Sequence, residues 1–186
     1  MLDSTYKIYP QYDLDDKKRA SELAKMTLEQ IRREYMRAIF TAACRRRLNI
    51  WDFAQKFMSS EYSLLLDKPQ TMLAVPMDEI FGNFMLRCSE HGIEIQEIEG
   101  ETNGMHNFRD ISPEGAWLVD IYNRWHTKTG EACCEIAERA PVALLRKIAA
   151  KAMQYKADDI IELLIEHSFA AADISSKDYA KLTRED

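Results

Sequence analysis

Apolar residues recur along this chain at helical spacing, and at only one place at the spacing of a strand. At about 100° per residue, Trp117, Leu118, Ile121, Tyr122 and Trp125 fall on one broad arc, with Asp120, Asn123, Arg124, Thr127 and Lys128 opposite. Ser112 is a natural N-cap, Pro113 fits the first helical position, and Glu114 complements the positive end of the helix dipole. Gly130 suits the left-handed residue that closes such a helix. Asp120 and Arg124 stand four apart and can pair along the outer face.

The rest of the chain reads in the same way. Residues 1–13 gather Tyr6, Ile8, Tyr9 and Tyr12 around Pro10 as an extended arm or a frayed tail, and Leu14–Lys25 forms a short, exposed helix. Thr27 and Gln30 make a capping box for a helix whose inward stripe is Leu28, Ile31, Tyr35, Ala38, Ile39 and Ala42, ending near Cys44 to Arg47. Asn49 caps the next helix, which turns Ile50, Phe53, Ala54 and Phe57 inward. A short helical run at Glu61–Leu66 ends in the turn Asp67-Lys68-Pro69.

Pro76 begins a helix with Ile80, Phe81, Phe84 and Met85 inward, and Gly92 stops it. Ile93–Glu99, IEIQEIE, has the one period-2 alternation and fits an edge strand or hairpin arm. The stretch Gly100–Ile111 is a loop. Glu131–Arg139 is a short helix. Val142, Leu145, Ile148, Ala149, Ala152 and Met153 line another, and Asp158-Asp159 opens a last one bearing Ile160, Ile161, Leu164 and Ile165.

Composition narrows the class. The 186 residues are 46% hydrophobic and 30% charged, with only 6 glycines and 5 prolines, the balance of a single helix-rich globular domain. The net charge of −6 gives no general pull towards nucleic acid or anionic membrane and suits a basic protein partner. No run of about 18 uncharged apolar residues and no basic-then-apolar leader occurs, so cytoplasmic residence is the expectation. Cys44, Cys88, Cys133 and Cys134 lack the paired spacing of a structural zinc site and read as reduced, buried thiols.

Four constellations could carry chemistry. His126, beside Trp125, could act as a general base towards Cys133 or Cys134, although adjacent helical cysteines diverge by about 100° and at most one could face it. A partly buried structural histidine is the simpler reading. Cys88 and His91 are three apart but supply only half of a metal site, and Glu162 with Glu166 reads as a solvated helix edge. The cluster Arg32, Arg33, Arg37, Arg45, Arg46 and Arg47 straddles two helices and invites a helix-turn-helix reading for DNA, which Glu29, Glu34 and the acidic balance oppose. No cofactor or metal is expected.

The segment WLVDIYNRWHTKTGEACCEIAERAP resembles the C-terminal part of a group of small uncharacterised bacterial proteins. The shared pattern is Trp117, Tyr122, Arg124, Trp125, His126, Thr129, Gly130, Glu131, Glu135, Ile136, Ala140 and Pro141, and Phe53–Pro69 is similar to their N-terminal part, together covering about half the chain. After Pro141 this chain departs from the group's Tyr/His-containing continuation, and residues 1–26 have no counterpart there. Such proteins are encoded beside small ADP-ribosyltransferase-like proteins in toxin–antitoxin-like loci. The resemblance implies a partner-binding or neutralising role and transfers no catalytic residue.

The sequence therefore predicts an all-α domain of six to eight helices, with room for one short β-hairpin near residues 93–99. An N-terminal arm and short helix (1–26) precede a helical domain (27–169), whose halves 27–92 and 112–169 are joined by the loop 93–111, and a weakly packed tail follows (170–186). The expected function is a non-enzymatic, antitoxin-like protein-interaction module binding through Asp120, Arg124, His126 and Lys128. A homo-oligomer is compatible with this reading. The alternatives are a phage-encoded inhibitor of a host defence nuclease, a small enzyme using His126 with Cys133 or Cys134, and a helix-turn-helix DNA binder.

Overall fold

Thr27 and Gln30 do form a capping box: the Gln30 amide donates to Thr27 Oγ1 at 3.2 Å and the Thr27 amide donates to Gln30 Oε1 at 2.8 Å. This opens the first of eight helices in the computed structural model, which describes residues 25–68, 75–98 and 110–166. They are α1 (Leu28–Arg45), α2 (Ile50–Met58), α3 (Ser63–Leu66), α4 (Met77–Glu90), α5 (Pro113–Thr129), α6 (Cys133–Arg139), α7 (Val142–Ala152) and α8 (Ala157–Glu166). The described residues contain no strand, and the domain is all-α. The expected N-terminal arm and short helix before Lys25, most of the Gly100–Ile111 loop and the tail from Ala170 lie outside the described residues.

Helix α5 runs between α1 on one side and α8 on the other, while α2 contacts α1, α5, α6 and α7. None of residues 50–58 is exposed, so α2 is the hub of the fold. Its Phe53 ring centroid lies 5.5 Å from Phe40 and from Phe57, 5.8 Å from Phe81 and 5.7 Å from Phe84. Burying each such ring is worth about 1.5–3 kcal/mol, which gives this aromatic cluster a leading share of the core energy.

The inward face of α1 differs from the expected stripe by a partial rotation. Ile31, Tyr35 and Ile39 are buried as expected, but they are joined by Arg32, Met36, Phe40, Ala43 and Cys44, while Leu28 is 53% exposed. Four helices, α2, α3, α4 and α5, contact α1, chiefly α4 and α5, and together they cover a wider arc than a single stripe would.

The hairpin arm expected at 93–99 is corrected by the described part, residues 93–98. This segment is extended, but its hydrogen bonds go to the α1–α2 corner. Asn49 N–H donates to the Gln96 carbonyl at 2.7 Å, Ile98 N–H donates to the Arg47 carbonyl at 2.8 Å, and Leu48 and Glu97 form a single antiparallel bridge. Gln96 N–H reaches the Asp52 carboxylate at 2.7 Å, and Lys56 donates to the Glu94 carbonyl. Arg47, at φ 59°, turns the corner so that its carbonyl is free to take this contact. Period-2 alternation here records a strip lying along a helix corner.

Candidate functional site

The start and end of α5 follow directly from its sequence. Ser112 Oγ accepts from Gly115 N–H at 3.1 Å, Pro113 occupies the first turn, and Gly130 closes the helix at φ 76°. The following corner is largely self-contained. Thr129 Oγ1 donates to the Trp125 carbonyl at 3.0 Å and accepts from Glu131 N–H at 3.2 Å, and the Trp125 indole N–H donates to Glu131 Oε2 at 2.7 Å. Arg139 bonds the other Glu131 oxygen, with its guanidinium 5.6 Å from the Trp125 ring centre. The RWHTKTGE segment therefore builds its own helix end.

The outer edge of α5 is paired to both neighbouring helices. Arg33 of α1 bonds Asp120 at 2.9 Å, Arg124 bonds Asp158 of α8 at 2.8 Å, and Lys128 bonds Glu162 of α8 at 2.5 Å. The expected Asp120–Arg124 pair is replaced by these cross-helix partners, because α1 and α8 bring opposite charges to either flank. Side-chain exposures of 33% to 60% keep all six groups at the surface. Asn123, placed on the polar side by the helical arithmetic, is instead buried beneath that edge.

Asn123 is buried because it meets Arg32, which is only 4% exposed. The guanidinium donates to Asn123 Oδ1 at 2.9 Å, to the Asn123 carbonyl at 3.2 Å and to Thr127 Oγ1 at 2.7 Å. Burial holds the Arg32 pKa below its ordinary value, and nearby Cys133, Asp67 and Glu29 partly oppose that.

His126 lies at the adjoining margin, with Nδ1 2.7 Å from the Glu131 carbonyl and 3.3 Å from Asp67 Oδ1. Both neighbours are acceptors, so the ring proton resides on Nδ1. Asp67 also accepts from Cys133 N–H at 3.2 and 3.3 Å and from the Cys133 thiol. Burial first, and the Asp67 carboxylate second, push the Cys133 thiol well above its usual range. A nucleophilic thiolate needs the opposite environment. The site thus brings His126 and Cys133 to a common carboxylate without making Cys133 a nucleophile.

Other sequence candidates are dispersed. Cys44, Cys88 and Cys133 are buried free thiols and Cys134 is partly exposed. His91 is exposed, and among the described residues no group of three His, Cys, Asp or Glu side chains could hold a metal. The arginine cluster separates: Arg32 is buried, Arg33 pairs with Asp120, and Arg46 lies 5.1 Å over Phe81. A recognition helix must be exposed to enter a groove, whereas α2 has no exposed residue. A cavity of about 360 Å³ between residues 59–62 and α4 is lined by Tyr62, Phe84, Cys88 and Ile93 together with Lys56 and Arg87. Burial also raises the pKa of its Cys88 thiol.

Sequence reading missed Arg32 and Asp67. An arginine four residues before inward-facing Met36 was the available signal for the first. Asp67 sits in a turn, and nothing local distinguishes a turn aspartate from one that caps a distant helix. No family model, no curated protein and no solved structure matches the chain. Among the described residues no helix is long and apolar enough to cross a membrane.

Proposed function

We propose that this protein is a non-enzymatic interaction module of antitoxin type, which neutralises or regulates a partner protein through the outer edge of α5. Asp120, Arg124 and Lys128 supply the charged contacts, with His126 at the margin. The observation that carries this reading is the set of three cross-helix ion pairs, half-exposed and held in register by the helices beneath. Such surface pairs contribute about 0–1 kcal/mol each, so exchanging one for a partner's charge costs little, while the fixed spacing favours a complementary surface. The burial of the Cys133 thiol beside Asp67 counts against the alternative in which Cys133 is a nucleophile. The RWHTKTGE resemblance supports an ADP-ribosyltransferase-like toxin as the partner.

Co-expression with a toxin encoded beside the gene tests the proposal. Growth rescue and co-purification of a complex are expected, with the double variant Arg124→Gln/Lys128→Gln, which removes the two charges without setting carboxylate against carboxylate, weakening binding by roughly tenfold or more while its melting temperature changes little. No complex and no rescue would refute the reading.

A further inference from the structure

The extended strip 93–98 uses only one of its two main-chain edges. At the Leu48–Glu97 bridge the hydrogen bonds run from Asn49 N–H to the Gln96 carbonyl and from Ile98 N–H to the Arg47 carbonyl, so Leu48 and Glu97 are themselves a non-hydrogen-bonded pair. In such a pair the N–H and C=O of Glu97 point away from the α1–α2 corner, and by the alternation of extended chain so do those of Ile95. Gln96, between them, turns both of its groups inward, to Asn49 and to the Asp52 carboxylate. Among the described residues neither Ile95 nor Glu97 has a main-chain hydrogen bond.

The side chains beside this open edge are exposed carboxylates and isoleucines. Glu94 and Glu97 are exposed and have no ion-pair partner among the described residues. The nearby cations are engaged elsewhere: Lys56 pairs with Asp52, Arg46 lies over Phe81, and Arg45 and Arg47 have partners within the chain. Ile93 and Ile98, each 45% exposed, stand at the two ends of the strip.

We infer that this edge is a docking site for an extended, basic segment of a partner protein, which adds to residues 93–98 as a second strand. Another extended main chain offers donors and acceptors at the spacing of Ile95 and Glu97, about 7 Å apart along the strip. The free carboxylates of Glu94 and Glu97 select lysine or arginine at the facing positions, while Ile93 and Ile98 give apolar side chains a contact at either end. Charge also disfavours a second copy of this chain: residues 93–98 hold two glutamates and no Lys or Arg, so pairing with themselves would bring like charges together. The edge shares no residue with the outer face of α5 and is a separate surface.

Fluorescence anisotropy of the full chain with a labelled peptide of alternating valine and lysine, about seven residues long, tests the inference alongside amide hydrogen exchange read by NMR. Binding is expected, and it should protect the Ile95 and Glu97 amides. Those of Gln96 and Ile98 are already bonded and should be slower beforehand. The same peptide methylated on its main-chain nitrogens keeps its charge but loses its donors, and should bind roughly tenfold more weakly or worse. Glu97→Pro removes one outward N–H and leaves the inward bonds in place, so it should weaken binding beyond Glu97→Gln, which loses only the charge. No binding at about 1 mM peptide overturns the proposal. So does equal binding of the methylated peptide, equal binding by the two Glu97 variants, or protection that appears elsewhere and not at Ile95 and Glu97. Protection of these two amides that rises with protein concentration in the absence of peptide would assign the edge to a second copy, and would overturn it as well.

Discussion

Arg32 and Asn123, 91 positions apart, meet at 2.9 Å inside the core and join α1 to α5 through a buried charge. The guanidinium is satisfied mainly by neutral acceptors, so its stability depends on each of them. Asn123→Ala should destabilise the protein by about 3 kcal/mol or more, because it strands a buried cation, whereas Arg32→Met should cost appreciably less. Thermal melts of both variants check the order. A larger loss for Arg32→Met would show that the guanidinium itself contributes most of the stability.

Tyr122 is fully buried, and among the described residues its hydroxyl has no hydrogen-bond partner. Tyr122→Phe removes an unsatisfied polar group without opening a cavity, and should raise stability by about 1 kcal/mol. The midpoint of urea unfolding measures this directly, and a fall in the midpoint would count against it.

Alkaline pH should unfold the protein through two buried acids. The Cys133 thiol ionises near 9.0 when unperturbed and higher in the folded chain, held protonated by burial and Asp67; burial likewise raises Tyr122 from 10.0. Below those ordinary values both states hold the protons, and stability is unaffected. Above them the unfolded chain releases protons that the folded chain keeps, so stability falls by up to about 1.4 kcal/mol per pH unit for each group. Cys133→Ala should flatten the loss that begins near pH 9.0, and Tyr122→Phe the part that begins near 10.0. A wild-type stability that is constant up to about pH 10.5 would contradict this.

The four thiols should differ in reactivity. Cys134 is the only one of them not buried, so a maleimide should modify it first, with Cys44, Cys88 and Cys133 protected until the chain unfolds. Mass spectrometry after brief labelling distinguishes them, and early modification of Cys133 would contradict the closed setting around Asp67.

Local signals were legible in the sequence where they were sufficient by themselves. The caps at Thr27, Asn49 and Ser112, the left-handed Gly130, and the arc from Trp117 to Trp125 each depend on residues within a turn or two. What escaped depends on which elements become neighbours. Asp120 and Arg124 satisfy the local rule for pairing, yet each finds a better-placed partner on a flanking helix. Asn123 changes from surface to core because Arg32 approaches it, and Ile93–Ile98 shows strand-like alternation although its partner is a helix corner. The cross-helix pairing of Asp120, Arg124 and Lys128 could not be read from their own helix.

The enclosure of α2 has a dynamic consequence. No residue of α2 is fully exposed and Ile50, Phe53, Ala54, Phe57 and Met58 are buried, with Trp51, Asp52, Gln55 and Lys56 half-buried, so its amide hydrogens should exchange with deuterium mainly when the whole domain opens. Residues 53–58 would then report global unfolding, while α8, bordered chiefly by α5, would exchange through smaller openings. The chain's oldest memory of being folded, read by isotope exchange, would be its second helix.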